Sequence, residues 1–225
     1  MKIKYVYIMA LMMLTQVFVG CELDNYDEPD AMLSGSVVYE GETLGIRGQG
    51  ATFALYQDGY ELHTSIPVYI AQDGTYSANL FKGEYKLVRI DGAPWVSQSS
   101  DTLVINVNGS TEYDVAVTPY FTISDESFNV QSGTVNTSFK IKQVVSTSSL
   151  SEVNIYLRSK ILLDDNYYDY KISVDVSDIT LGDLKDVEVT IPDDLLDNEY
   201  LYIRVGAKSS SSSEFIYTQS QKIIL

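Results

Sequence analysis

Turn-forming glycines recur between short strand-like segments of this chain, and they constrain the fold more than any other feature. Asp58-Gly59, Asp73-Gly74, Lys82-Gly83, Asn108-Gly109 and Leu181-Gly182-Asp183 each punctuate a short segment in which apolar and polar side chains alternate. Asp-Gly and Asn-Gly favour tight hairpins because glycine reaches positive φ at no steric cost. No long segment keeps a 3.6-residue apolar period, so extended amphipathic helices are excluded. Tyr, Val, Ile, Thr and Ser dominate, and these types suit a half-buried pleated surface. The fold class expected is all-β, built as two tandem β-sandwiches.

The pattern divides the chain near Pro119, because proline interrupts a ladder and belongs at an edge or a linker. In the first unit, 31–118, strands are expected at 33–39, 51–56, 66–70, 75–81, 84–90, 102–107 and 113–117, with a glycine-rich loop from Gly41 to Gly50. In the second, 119–225, they are expected at 121–123, 128–130, 135–145, 153–157, 170–176, 187–191, 200–207, 215–217 and 222–225. Val135, Thr137, Phe139, Ile141 and Gln143 share one face of the long alternating stretch, and Leu201, Ile203, Val205 and Ala207 share one face of a late strand. The serine run Ser209 to Ser213 reads as a flexible loop, since strand-like sequence follows it.

Particular residues of the first unit carry a resemblance. Gly35-x-Val37, Ala51-x-Phe53-x-Leu55 and Asp73-Gly74-x-Tyr76-x-x-x-Leu80-x-x-Gly83-x-Tyr85-x-Leu87 resemble the carboxypeptidase regulatory-like, prealbumin-type sandwich. That resemblance implies a structural module without catalytic residues of its own. In the second unit, Leu201-x-Ile203-Arg204-Val205-x-Ala207 resembles the sixth strand of fibronectin type III and immunoglobulin-like domains. It departs from them by carrying Leu201 on the inward face where a corner tyrosine often sits, with Tyr200 and Tyr202 on the other face.

The amino-terminal stretch decides location. Lys2 and Lys4 precede a nearly unbroken apolar run from Tyr5 to Val19, and Phe18-Val19-Gly20-Cys21 ends it with a small residue before a cysteine. The run is shorter than the roughly 20 residues that cross hydrocarbon and has signal-peptide anatomy instead. It resembles a bacterial lipoprotein signal, although Phe18 stands where that signal usually has leucine. The resemblance implies a signal peptide over 1–20 and acyl chains on Cys21, each buried methylene contributing about 0.8 kcal/mol to the membrane anchor.

Residues 21–30 then form an acidic tether whose nine residues after Cys21 reach about 30 Å when extended, similar to the surface-export signal of Bacteroidetes lipoproteins. The expected location is the outer membrane, facing the cell surface. Taken together, the leader, the Glu22-Leu23-Asp24-Asn25-Tyr26-Asp27 segment, the Thr118-Pro119-Tyr120 junction and the paired sandwiches look like a two-domain Bacteroidetes lipoprotein family of unknown function. Members of that family tend to accompany an outer-membrane transporter and a glycan-capturing lipoprotein. The resemblance therefore implies an accessory of a glycan or nutrient uptake system, with the alternative of a structural spacer or protein adaptor that has no small-molecule ligand.

Charge and side-chain inventory narrow the chemistry. The formal charge of −16 becomes −18 once Lys2 and Lys4 leave with the signal, so nucleic acid is excluded as a partner. Cys21 is the only cysteine, which leaves no thiol for a disulfide, a zinc site or a nucleophile once it is acylated. His63 is the only histidine, and no Gly-x-Ser-x-Gly elbow accompanies it. Two carboxylates suffice for a glycosidase, but nothing among the 31 acidic residues singles out a pair. The reading is a protein that is not an enzyme.

Two loops hold candidate ligand-binding residues. Asp164-Asp165-Asn166 with Asp169 gathers hard oxygen ligands suited to calcium, as does Asp193-Asp194 with Asp197, Asn198 and Glu199, though neither has the spacing of a calcium-binding helix-loop-helix. Sugar rings pack their C–H faces on aromatic rings and need polar groups around the rim. Trp95, the sole tryptophan, lies in a glycine-proline loop, and Tyr167-Tyr168-Asp169-Tyr170 combines tyrosines with acidic and amide neighbours. Trp95, Tyr167, Tyr168 and Tyr170 are thus the candidate carbohydrate contacts, against the simpler readings of strand tyrosines and a core tryptophan.

Overall fold

The structure, a computed structural model, describes residues 27–59, 64–90, 92–98 and 100–225. The signal peptide, lipidation at Cys21 and His63 lie outside the described residues. Within them the chain is all-β and forms two packed sandwiches.

The first unit comprises β1 (Ala31–Tyr39), β2 (Glu42–Thr43), β3 (Thr52–Tyr56), β4 (Ile66–Tyr69), β5 (Thr75–Leu80), β6 (Gly83–Arg89), β7 (Thr102–Val107), β8 (Ser110–Glu112) and β9 (Val115–Ala116). One sheet runs β2-β1-β5, with β8 and β9 pairing parallel to β1, and the other runs β4-β3-β6-β7. Alternation puts Leu33, Val37, Tyr76 and Leu80 against Phe53, Leu55, Tyr85 and Leu87, all buried. The Phe53 and Tyr76 rings meet edge to face with centroids 5.3 Å apart, a favoured aromatic geometry.

Where one strand was expected at 113–117, the chain instead breaks between β8 and β9. The Ser36 amide donates to the Asp114 carboxylate at 2.8 Å, and Tyr76 Oη donates to the Tyr113 carbonyl. This contact also explains Gly35, where a Cβ would lie 2.0 Å from the Tyr113 carbonyl oxygen. The loop expected from Gly41 to Gly50 contains the short strand β2.

The second unit comprises β10 (Phe121–Gln131), β11 (Thr134–Gln143), β12 (Leu150–Arg158), β13 (Tyr170–Val174), β14 (Leu184–Thr190), β15 (Tyr200–Ser209), β16 (Phe215–Tyr217) and β17 (Gln221–Ile224). Its sheets run β10-β11-β14 and β13-β12-β15-β16, and β17 pairs with the beginning of β15. The two strands expected at 121–123 and 128–130 are one strand with a bulge between Ser124 and Ser127. There Asp125 takes φ 54° and its carboxylate meets Lys140 Nζ at 2.7 Å.

On β11 the expected face is buried at Val135, Thr137, Phe139 and Ile141 and half-buried at Gln143, where the strand ends. Strands β12 and β15 break the alternation, because Asn154, Tyr156 and Arg204 on their other face are buried as well. A strand covered on both faces loses the apolar-in, polar-out pattern. What covers β15 is a small cluster of Tyr156, Leu163, Phe215 and Tyr217, together with loops of the first unit. The junction is stitched by backbone pairing: Val96 N donates to Thr118 O at 2.9 Å, Tyr120 N to Pro94 O at 3.2 Å, and Tyr217 N to Gly45 O at 2.9 Å.

Candidate functional site

The loop 159–169 joins β12 to β13 and exposes four large side chains together. Ile161, Leu162, Tyr167 and Tyr168 are 55, 59, 57 and 41% exposed. Exposed side chains on a loop held by a rigid scaffold are where binding residues concentrate. The rigidity comes from the loop's own polar groups. Asp164 and Tyr167 exchange backbone hydrogen bonds at 3.0 and 3.1 Å, and Asp164 Oδ1 accepts the amides of Asn166 and Tyr167. At the base of the loop the Ser159 amide and hydroxyl both donate to Asp169 Oδ2, at 2.9 and 2.8 Å. Burial pushes the Asp169 carboxyl up, but these bonds and the positive charges of Arg158 and Lys160 outweigh it and hold the group below its ordinary value.

Cations steady both exposed rings. The Arg158 guanidinium lies 5.4 Å from the Tyr167 ring centre and Lys171 Nζ lies 5.0 Å from that of Tyr168, contacts that contribute about 0.5–1 kcal/mol each at exposed sites. Tyr168 also approaches Tyr156 at 6.0 Å.

The loop is fastened to the first unit through Gln72 and Arg204. Gln72 Nε2 donates to the Ile161 carbonyl at 2.7 Å, and Gln72 Oε1 accepts the Leu163 amide at 3.1 Å. Arg204, fully buried, spreads its donors over the carbonyls of Thr218 (3.0 Å), Leu163 (3.0 Å), Ile46 (3.2 Å) and Gln72 (3.2 Å). Its guanidinium lies 4.3 Å from the Tyr217 ring centre. Burial pushes its pKa down to about 10, partly offset by Tyr217 and Asp164, so it stays charged at neutral pH. A single side chain thus gathers backbone from both units and from the exposed loop.

Beside this loop a hollow of about 140 Å³ opens at the junction, lined by Arg47 of the first unit and by Asp165, Asn166, Ser213, Glu214, Phe215 and Tyr217 of the second. Arg47 grips Glu214 with two bonds, Nε to Oε2 at 2.8 Å and Nη2 to Oε1 at 2.5 Å. That hydrogen bonding holds the Arg47 guanidinium above its ordinary value against the opposing effect of burial. Asp165 Oδ1 receives Lys171 Nζ and Tyr156 Oη, both at 3.1 Å, and its amide donates to Tyr217 Oη at 3.1 Å.

The structure separates the candidates. Tyr167 and Tyr168 stand together on the exposed loop. Tyr170 begins β13, half-buried against the core. Trp95 corrects its expectation as a platform: it is 3% exposed, bridged to Pro119 and part of the continuous core, leaving no ring face for a ligand. The calcium candidates Asp164, Asp165, Asn166 and Asp169 share one loop without sharing partners. Each carboxylate turns to a different protein partner, and among the described residues no three His, Cys, Asp or Glu side chains converge on a point. In the second acidic segment Asp193–Leu196 forms a single helical turn, and Asn198 Nδ2 donates to the Leu195 carbonyl at 2.9 Å. Gln72, Arg47 and Arg204 were not singled out by sequence; the one available signal was a charged residue set between Ile203 and Val205.

Comparison with known proteins places these features in a family. Residues 31–118 match the model described as "Protein of unknown function (DUF3823) N-terminal domain", and residues 121–222 match "Domain of unknown function (DUF3823_C)". The chain is similar to the crystal structure of a DUF3823 family protein from Bacteroides ovatus ATCC 8483, with 43% identity and a TM-score of 0.83, over 88% of this chain and 100% of that one. A DUF3823 family protein from Parabacteroides merdae ATCC 43184 shares 34% identity and a TM-score of 0.80 over the same proportions. A protein from Bacteroides uniformis ATCC 8492, described as a proposed carbohydrate binding protein, shares the fold with 19% identity and a TM-score of 0.72, again over 88% of this chain and 100% of that one. No curated protein matches the chain.

Proposed function

We propose that this chain, which belongs to the DUF3823 family, is a lipid-anchored, non-catalytic glycan-binding accessory of a nutrient uptake system at the outer membrane. The observation that carries the reading is the loop 159–169, where Tyr167 and Tyr168 are exposed, backed by cations and held by hydrogen bonds that leave little to order on binding. Sugars reward such a surface, since their C–H faces pack on the rings and their hydroxyls find the surrounding polar groups. The anchor at Cys21 and the outer-membrane setting rest on the leader sequence, and the Bacteroides uniformis protein of the same fold agrees with a carbohydrate ligand. A transporter or a glycan-capturing lipoprotein is the partner that such a setting supplies.

The experiment is affinity electrophoresis of the full chain, kept soluble in detergent, through gels containing a panel of polysaccharides, with calcium and with chelator. Retardation that falls about tenfold in Tyr167→Ala and Tyr168→Ala supports the platform, equivalent to about 1.4 kcal/mol. A second reading is favoured by Ile161 and Leu162, whose aliphatic side chains offer sugar hydroxyls nothing and suit a protein surface. Absence of binding to every polysaccharide directs the role toward that adaptor function.

A further inference from the structure

The hollow beside the loop adds chemistry that the tyrosines alone lack. Its floor is aromatic: Phe215 and Tyr217 are each 3% exposed, with ring centres 5.7 Å apart. Its rim is polar and reachable, since the side chains of Arg47, Glu214 and Asp165 are 26, 18 and 35% exposed. The charges there balance: Arg47 faces Glu214 and Lys171 faces Asp165. A guanidinium in a two-point pair keeps further donors, and each carboxylate oxygen keeps acceptor capacity. Donor and acceptor set side by side, with both charges already compensated, match adjacent hydroxyls, each of which both donates and accepts. An anionic sugar would instead meet Asp165 and Glu214, and a cationic ligand would meet Arg47 and Lys171.

The size sets a limit on the ligand. About 140 Å³ falls well under the roughly 300 Å³ at which drug-sized ligand pockets begin, so the hollow takes one hydroxylated edge rather than a whole oligosaccharide. Asn166 lines it and is the chain neighbour of Tyr167, which sets the hollow at the edge of the loop that carries the exposed rings.

We infer that this hollow is a sugar subsite built jointly by the two units, taking the vicinal hydroxyls of a neutral glycan whose adjoining units lie along Tyr167 and Tyr168. The inference rests on the glycan-binding reading and adds the ligand class, the subsite and the need for Arg47 from the first unit.

The test is titration calorimetry of the full chain in detergent with neutral polysaccharides and with uronate-bearing ones, repeated on Arg47→Met, Glu214→Gln, Asn166→Ala and Tyr167→Ala. Asn166→Ala leaves the Arg47–Glu214 pair in place, so its effect is free of any loosening of the junction. The expected result is binding to a neutral glycan, weakened about tenfold by Arg47→Met and Glu214→Gln and about fivefold by Asn166→Ala. Loss in Tyr167→Ala with unchanged affinity in Asn166→Ala overturns the subsite and keeps the glycan-binding reading. Binding restricted to uronate-bearing glycans overturns the assigned ligand class. No binding to any glycan by the unaltered chain overturns the subsite and the reading beneath it together.

Discussion

Gly45 and Tyr217 are joined across the two units by the Tyr217 amide donating to the Gly45 carbonyl at 2.9 Å, and they approach so closely that a Cβ on Gly45 would lie 2.5 Å from the Tyr217 carbonyl oxygen. The same Cβ would come within 2.9 Å of Arg204 Nη2. Backbone and a buried guanidinium have little room to yield, so Gly45→Ala is expected to destabilise the chain by about 2 kcal/mol. Gly48→Ala, whose Cβ would meet nothing nearer than 3.9 Å, is expected to stay within about 0.5 kcal/mol. Urea unfolding of the two variants measures the difference.

Arg204→Met tests what the buried guanidinium does. The substitution keeps much of the side-chain volume but strips hydrogen bonds from the carbonyls of Ile46, Gln72, Leu163 and Thr218, which the packed junction shields from water. Hydrogen bonds to charged groups contribute about 1.5–3 kcal/mol each, and stranded acceptors add a desolvation penalty. A loss of about 3 kcal/mol or more is expected in urea unfolding, with faster proteolysis within 159–169, where Leu163 loses its tie. Proteolysis unchanged at that loop counts against Arg204 as its fastening.

These two residues also mark where the sequence stopped being informative. Alternation located the strands and the faces of β6 and β11, because each of them has one buried face and a period of two reports that directly. It put Arg204 outward, since a period of two cannot tell that a second unit will cover the outer face of β15. Tyr167 and Tyr168 were legible because an exposed loop residue depends on local sequence alone. Gln72, Arg47 and Glu214 were not: Arg47 and Glu214 lie 167 positions apart, and no local pattern links them. Trp95 failed for the opposite reason, because its glycine-proline surroundings read as a surface loop while backbone pairing with Thr118 and Tyr120 draws that loop onto the core.

Trp95→Ala is accordingly expected to act on stability alone. Truncating a buried aromatic side chain costs about 3–5 kcal/mol through lost transfer energy and the cavity left behind. The melting temperature should fall while glycan affinity, measured well below it, stays unchanged. A loss of affinity in the folded variant would return Trp95 to the ligand site.

Asp169 makes the loop sensitive to acid. Its carboxylate accepts the Ser159 amide and hydroxyl and lies 3.7 Å from Arg158 Nε, and its pKa in the folded chain is below the ordinary value of 3.8. A depressed carboxylate pKa means that the unfolded chain binds protons first as the pH drops. The stabilisation from Asp169 is therefore complete above its unfolded pKa and fades as the pH falls through the folded one. Asp169→Asn lacks that titration but keeps the size, so the wild-type advantage over it should be constant from about pH 7 to 5 and shrink as the pH falls below about 4, following the linkage of proton binding to folding. Urea unfolding of both proteins across that range measures the gap, and amide exchange at Ser159 reports whether the loop base opens with it. A gap independent of pH would assign the lowered pKa to surroundings that persist in the unfolded chain.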